Sequence, residues 1–139
     1  MDYFKASPEV VGLMYKAHDG LKKSGSDINL RLLVEIRTSQ INECSYCCAL
    51  HTREAREHGI SEDKIAGLSK WESTTGIFSE RERLALAWTE AVTRLSPDRA
   101  ELRARLERTF TEKEMVDLTV AVALMNGFNR MAVSLGGTR

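Results

Sequence analysis

Apolar residues recur at three- and four-residue intervals along almost the whole chain, and no segment shows sustained period-two alternation bounded by hairpin turns. This predicts an all-α, single-domain bundle of six to seven helices. From Pro8, the residues Val10, Val11, Met14, Ala17 and Leu21 keep helical spacing until Gly25, a C-terminal stop. Asp27 then caps a second helix carrying Leu30, Leu33, Val34, Arg37 and Ile41. A third helix ends at His58-Gly59, and Ser61 caps a short fourth through Leu68. Ser69 to Ile77, with Thr74, Thr75 and Gly76, reads as a loop. Ser79 with Glu82 has the spacing of a capping box and heads a helix with Leu84, Ala87, Trp88, Ala91 and Leu95 on one side. The two prolines, Pro8 and Pro97, each follow a serine and are predicted to open helices, the second running through Phe110 with Leu102 and Leu106 inward. Thr111 with Glu114 forms another capping box before the longest apolar stretch, Met115 to Leu135, which stops at Gly136-Gly137. That stretch is apolar nearly all round, broken by Asn126, Asn129 and Arg130. Such a helix is expected at the centre of its own domain or shared with another subunit.

Composition narrows the function. With 139 residues and 42% hydrophobic content, the chain suits one domain over residues 1–139. Lys+Arg and Asp+Glu both number 20, so no long-range field draws phosphate backbones or anionic lipid, and neither nucleic acid nor membrane is expected as a partner. The N-terminal stretch MDYFKASPEVVG lacks a basic region followed by an apolar run. No window is expected to reach the roughly 20 apolar residues of a membrane span, which points to a cytoplasmic protein. In a reducing compartment a Cys-x-x-Cys pair is redox-active or metal-binding more often than structural.

All three cysteines fall within NECSYCCALHT, residues 42–52. On a helix, Cys44, Cys47 and His51 share one face. A helix interior holds Cβ atoms three residues apart at about 5–6 Å, too far for a disulfide, so Cys44 is expected in or just before the first turn. There the positive helix end stabilises a thiolate, and lowering a thiol pKa from about 8.5 to about 6.5 raises its thiolate fraction at pH 7 from roughly 3% to roughly 75%. Such a dithiol reduces a hydroperoxide through a sulfenic acid that the second sulfur traps as a disulfide. Cys47, one turn from His51, is assigned the attack with His51 as general base, and Cys44 the resolving role as the more exposed thiol. The reverse order stays open, because the helix terminus favours Cys44. Zinc held by two thiolates and an imidazole is an alternative that lacks an evident fourth ligand. His18 and His58 read as surface or packing histidines, Cys48 as a buried small side chain, and Tyr46 as a packing residue.

The run LVEIRTSQINECSYCCALHTREAREHGI resembles the AhpD-like alkylhydroperoxidases of the carboxymuconolactone decarboxylase-like superfamily. YFKASPEV, FSERERLALAWTEAV and FTEKEMVDLTVAVALMNGFNRMAV extend the likeness over nearly the whole chain. The family pattern is glutamate, eleven residues, Cys-x-x-Cys, three residues, histidine; Cys44, Cys47 and His51 match it, whereas Leu32 stands at the glutamate position. Glu35, one turn along, is the candidate substitute, with a surface carboxylate as the alternative. Relatives often carry glycine where this chain has Glu43, whose charge is expected to raise a neighbouring thiol pKa. The resemblance implies an all-helical fold, homotrimers or homohexamers, no bound cofactor or metal, an organic hydroperoxide substrate and an external dithiol reductant of lipoyl or thioredoxin-like type. Decarboxylases of the superfamily lack the cysteine pair. The expected function is a dithiol alkylhydroperoxidase acting through Cys44, Cys47, His51 and Glu35. A thiol–disulfide carrier and a non-redox metal-binding or structural protein are the alternatives.

Overall fold

A computed structural model describes residues 1–136 as helices and short connections, with no strand among them. The α-helices are α1 (Tyr3–Ala6), α2 (Pro8–Lys23), α3 (Ile28–Ile41), α4 (Ser45–Glu57), α5 (Glu62–Gly67), α6 (Glu80–Arg94), α7 (Arg99–Leu106) and α8 (Glu112–Leu135), with a 3-10 helix over Leu68–Ser73 after α5. Gly137, the second residue of the predicted stop, lies outside the described residues.

The capping residues act as their chemistry dictates. Asp27 accepts the amides of Asn29 and Leu30, and Ser61 accepts that of Lys64. Both expected capping boxes form, Ser79 with Glu82 and Thr111 with Glu114. Three expectations need correction. The four-residue α1 precedes Pro8. The stretch read as a loop is partly helical, because Trp71 is buried there and its indole N–H donates to Glu90, which also receives Arg37 and so ties the segment to α3 and α6. Pro97 does not open α7. Leu95 takes a left-handed conformation and the Ser96 amide closes back onto the Ala91 carbonyl, so residues 97 and 98 are spent on the turn and the helix runs only from Arg99 to Leu106.

The central element is α3, which packs against α4, α6 and α8. Every residue from Leu30 to Ile36 is buried, because neighbours cover all its sides. One core joins Val34 to Leu84, Trp88, Leu106, Phe110, Leu118 and Val122, and a second joins Leu32, Leu33 and Ile36 to Ala55, Leu68, Trp71 and Phe78. The expectation for α8 changes accordingly. By length and mean hydropathy, 1.3 over an 18-residue window, it reaches the range of a membrane span, contrary to the sequence reading. Yet one face, with Leu118, Val122, Met125 and Asn129, is buried against the bundle, while Val116, Val120 and Val133 are exposed.

The polar residues of α8 fasten the α3–α4 corner. Asn42 donates from its side-chain amide to both Asn126 and Asn129, and the fully buried Asn129 donates to the Ser39 hydroxyl. Truncating a buried, doubly bonded amide orphans its partners. Asn129→Ala is expected to lower unfolding free energy by about 1–3 kcal/mol in a urea titration, and Asn126→Ala, at a half-buried position, by less.

Candidate active site

The corner between α3 and α4 sets where the first sulfur sits. Beyond α3, Glu43 takes a left-handed conformation, φ 54°, with its amide on the Gln40 carbonyl and the Cys44 amide on that of Ser39. This is a Schellman closure, which favours glycine at the left-handed position. Cys44 is thus at once the last residue of one helix stop and the N-cap of α4, where its sulfur accepts the Cys47 amide at 3.3 Å. Its non-helical backbone, φ −85° and ψ 89°, lets its side chain turn toward Cys47, and the two are joined in a disulfide with Cα atoms 5.3 Å apart. The predicted placement at the head of the helix holds. The predicted difference in exposure does not: Cys44 is 3% exposed and Cys47 5%, both packed against Ala132 of α8. Cys48 is a free thiol and only half-buried, with burial pushing its pKa up.

Glu35 is not a surface carboxylate; its exposure is 0%. Its Oε1 lies 2.8 Å from Nε2 of His18, one Arg31 guanidinium nitrogen donates to both of its oxygens at 2.9 and 3.0 Å, and its Oε2 lies 3.5 Å from Nδ1 of His51. Burial is the strongest influence on its pKa and opposes ionisation. The His18 hydrogen bond and the His51 and Arg31 charges together outweigh it and hold the carboxyl below the usual range. Leu32, at the position of the pattern's glutamate, packs instead in the Trp71–Phe78 core. Nδ1 of His51 also lies 2.8 Å from Glu54, and that hydrogen bond is the leading cause of a lowered Glu54 pKa. With Nδ1 committed to carboxylates, Nε2 is the nitrogen left for base chemistry.

His18, Arg31 and Glu54 are the members of this network that the sequence reading missed. Each left a faint signal. His18 continues the stripe Val11, Met14 and Leu21 on an otherwise apolar face, Arg31 stands four residues before Glu35, and Glu54 stands three residues after His51. His58 remains on the surface. Glu35, His51 and Glu54 present ligand atoms within 4.8 Å of one another, and Arg31 donates to both oxygens of Glu35. The set is built as an ion-pair network. Beside it lies a cavity of about 160 Å³, onto which Cys47, His51, Tyr15, Leu50 and Phe128 face.

The profile of the carboxymuconolactone decarboxylase family matches residues 8–91. The uncharacterized protein YdfG of Bacillus subtilis is 30% identical over 98% of this chain and 93% of its own length. YnjA of Escherichia coli, also uncharacterized, is 32% identical over 76% of this chain and 58% of its own. Among solved structures, an Agrobacterium tumefaciens protein of unknown function, provisionally assigned as the antioxidant defence protein AhpD, superposes with a TM-score of 0.93 at 32% identity, covering 100% of this chain and 96% of that one. An uncharacterized peroxidase-related protein from Ralstonia eutropha, at 21% identity, TM-score 0.80 and coverage of 95% and 71%, shares the fold.

The Glu35 network has a measurable stability signature. A carboxylate whose folded pKa is depressed contributes its full stabilisation above its unfolded pKa, about 4.3, and loses it as pH falls toward the folded value. Wild-type stability is expected to fall steadily below about pH 4.3. Glu35→Gln, which leaves Arg31 buried without its counter-charge, is expected to cost about 3–5 kcal/mol at pH 7 and to flatten the acid decline, both read from urea titrations across pH.

Proposed function

The chain belongs to the carboxymuconolactone decarboxylase family, within its AhpD-like members, and we propose that it is a thiol-dependent peroxidase that reduces organic hydroperoxides through a Cys44–Cys47 disulfide cycle. The observation that carries this reading is one sulfur and one base on a shared cavity: Cys47 and His51 face the same space, with Glu35 and Glu54 behind the imidazole. His51 takes the Cys47 proton, and the two carboxylates balance the charge of the imidazolium. The thiolate attacks the terminal peroxide oxygen, the O–O bond breaks, and the alkoxide leaves as alcohol after taking up that proton, giving a sulfenic acid on Cys47. The Cys44 thiol then displaces the sulfenic oxygen as water and closes the disulfide. An external dithiol, lipoyl-type or thioredoxin-like, returns both thiols and is itself oxidised.

In this reading Glu35 orients His51, while His18 and Arg31 hold Glu35. The apolar bodies of Tyr15, Leu50 and Phe128 suit an alkyl or aryl group on the hydroperoxide. The exposed Val116 and Val120 of α8 supply the surface of a homotrimer or homohexamer, and the cytoplasm supplies the reductant.

Reduced wild-type protein is expected to lose two titratable thiols per equivalent of cumene hydroperoxide. Cys47→Ser is expected to abolish that loss, and His51→Ala to slow it by about 10²-fold or more. A wild type whose thiol count is untouched by hydroperoxide overturns the peroxidase. If a protein disulfide oxidises it rapidly while hydroperoxide does not, it is a carrier.

A further inference from the structure

The two bridged cysteines line different spaces. Cys47 lines the cavity of about 160 Å³ that holds His51, whereas Cys44 lines a separate cleft of about 470 Å³, shaped by Glu43, Ser45, Val133 and Gly136. Tyr46 and Ala132 border both spaces and form the wall between them. Ala132 packs on both sulfurs, and Tyr46 is 40% exposed.

Direction matters for thiol–disulfide exchange. The attacking thiolate approaches along the line of the S–S bond, from the side opposite the sulfur that leaves. A thiol arriving through the His51 cavity reaches Cys47 and must expel Cys44, whereas one arriving through the Val133 cleft reaches Cys44 and expels Cys47 beside the imidazole. Since the better-stabilised thiolate leaves faster, a neighbouring proton donor favours the second route.

We propose that the two half-reactions use opposite mouths of the site: hydroperoxide reaches Cys47 through the His51 cavity, and the dithiol reductant attacks Cys44 through the cleft lined by Glu43, Val133 and Gly136. The inference rests on the peroxidase reading for its first half only. In the reductive half, His51 first takes up a proton from solvent. A reductant thiolate then bonds to the Cys44 sulfur as the S–S bond breaks, and Cys47 leaves as thiolate and takes that proton from His51. The second reductant thiol, as thiolate, then attacks the reductant sulfur of the mixed disulfide. Cys44 departs as a thiolate held by the first-turn amides of α4, of which Cys47 N–H already points at it, and afterwards takes up a proton from solvent. Two thiols are formed on the protein and one disulfide on the reductant.

The test begins with oxidised wild-type protein and 2-mercaptoethanol, quenched in acid within seconds, alkylated and mapped by mass spectrometry. The adduct is expected on Cys44 with Cys47 alkylated; an adduct mainly on Cys47 overturns the assignment. No peroxide takes part, so this result is independent of the peroxidase activity. A paired measurement follows each half-reaction separately, oxidation by cumene hydroperoxide and reduction by dithiothreitol. Val133 is exposed on α8 and tolerates a larger side chain without entering the core. Val133→Trp is expected to slow reduction at least fivefold relative to oxidation, and Leu50→Trp, in the other cavity, to do the opposite. Equal slowing of both halves by either variant overturns the two-mouth arrangement. Failure of wild type to be oxidised by hydroperoxide, with the Cys44 adduct formed and reduction by dithiothreitol slower in Val133→Trp than in wild type, overturns the peroxidase and leaves the reductant cleft standing.

Discussion

The site depends on a single backbone constraint: Cys44 ends one helix and begins the next. As the residue that completes the closure of α3 it must donate its amide to Ser39, and as N-cap of α4 it must leave the helical region of φ and ψ. Those demands fix its Cα and aim its side chain down the new helix, where Cys47 waits one turn on. Regular helix throughout would hold the two side chains too far apart for a bridge. A longer loop would let the first sulfur wander. The asparagines of α8 matter because they brace this corner from outside, through Asn42 and Ser39, while Ala132 of the same helix closes over both sulfurs.

A second constraint is electrostatic. Burying a carboxylate costs several kcal/mol unless its lone pairs are filled, and Glu35 fills them with Arg31 from its own helix and His18 from α2. The ion pair therefore pins α2 against α3 and leaves one edge of the carboxylate for His51 of α4. Three helices meet at one charged group. The helix-terminus amides lie at Cys44 and the carboxylate-backed imidazole near Cys47, so each sulfur has its own source of thiolate stabilisation.

Much of this was legible in the sequence because its signals are local. Capping boxes, the Asp27 cap, the glycine stops and the alignment of Cys44, Cys47 and His51 each depend on residues within one or two turns, and each stands where the spacing put it. The misreadings have nonlocal causes. Trp71 makes its segment helical by reaching a carboxylate nineteen residues away on α6. His18 looked like a packing residue because its partner is seventeen residues distant on another helix. Composition could not tell a helix covered all round from one half-covered: α8 read as either central or shared with another subunit, and the central position belongs to α3. The pattern's glutamate is absent at Leu32, and Glu35, one turn along the same helix, brings a carboxylate to the histidine; what linear spacing left open was whether it faced inward, which its partners on α2 and α4 decide.

The closed bridge constrains the protein very little. It spans only three residues of separation, and in the chain-entropy view so short a loop stabilises the fold by about 2 kcal/mol, less than the roughly 3 kcal/mol of a fifteen-residue loop. The corner hydrogen bonds, the Glu35 network and the cores on either side of α3 do not pass through the sulfurs, so they hold the cysteines in register with the bridge open or closed. A structural disulfide would join distant elements, where its removal from the unfolded ensemble's freedom matters most. Here the bridge joins neighbours that the fold already holds together, so opening it would release no distant element.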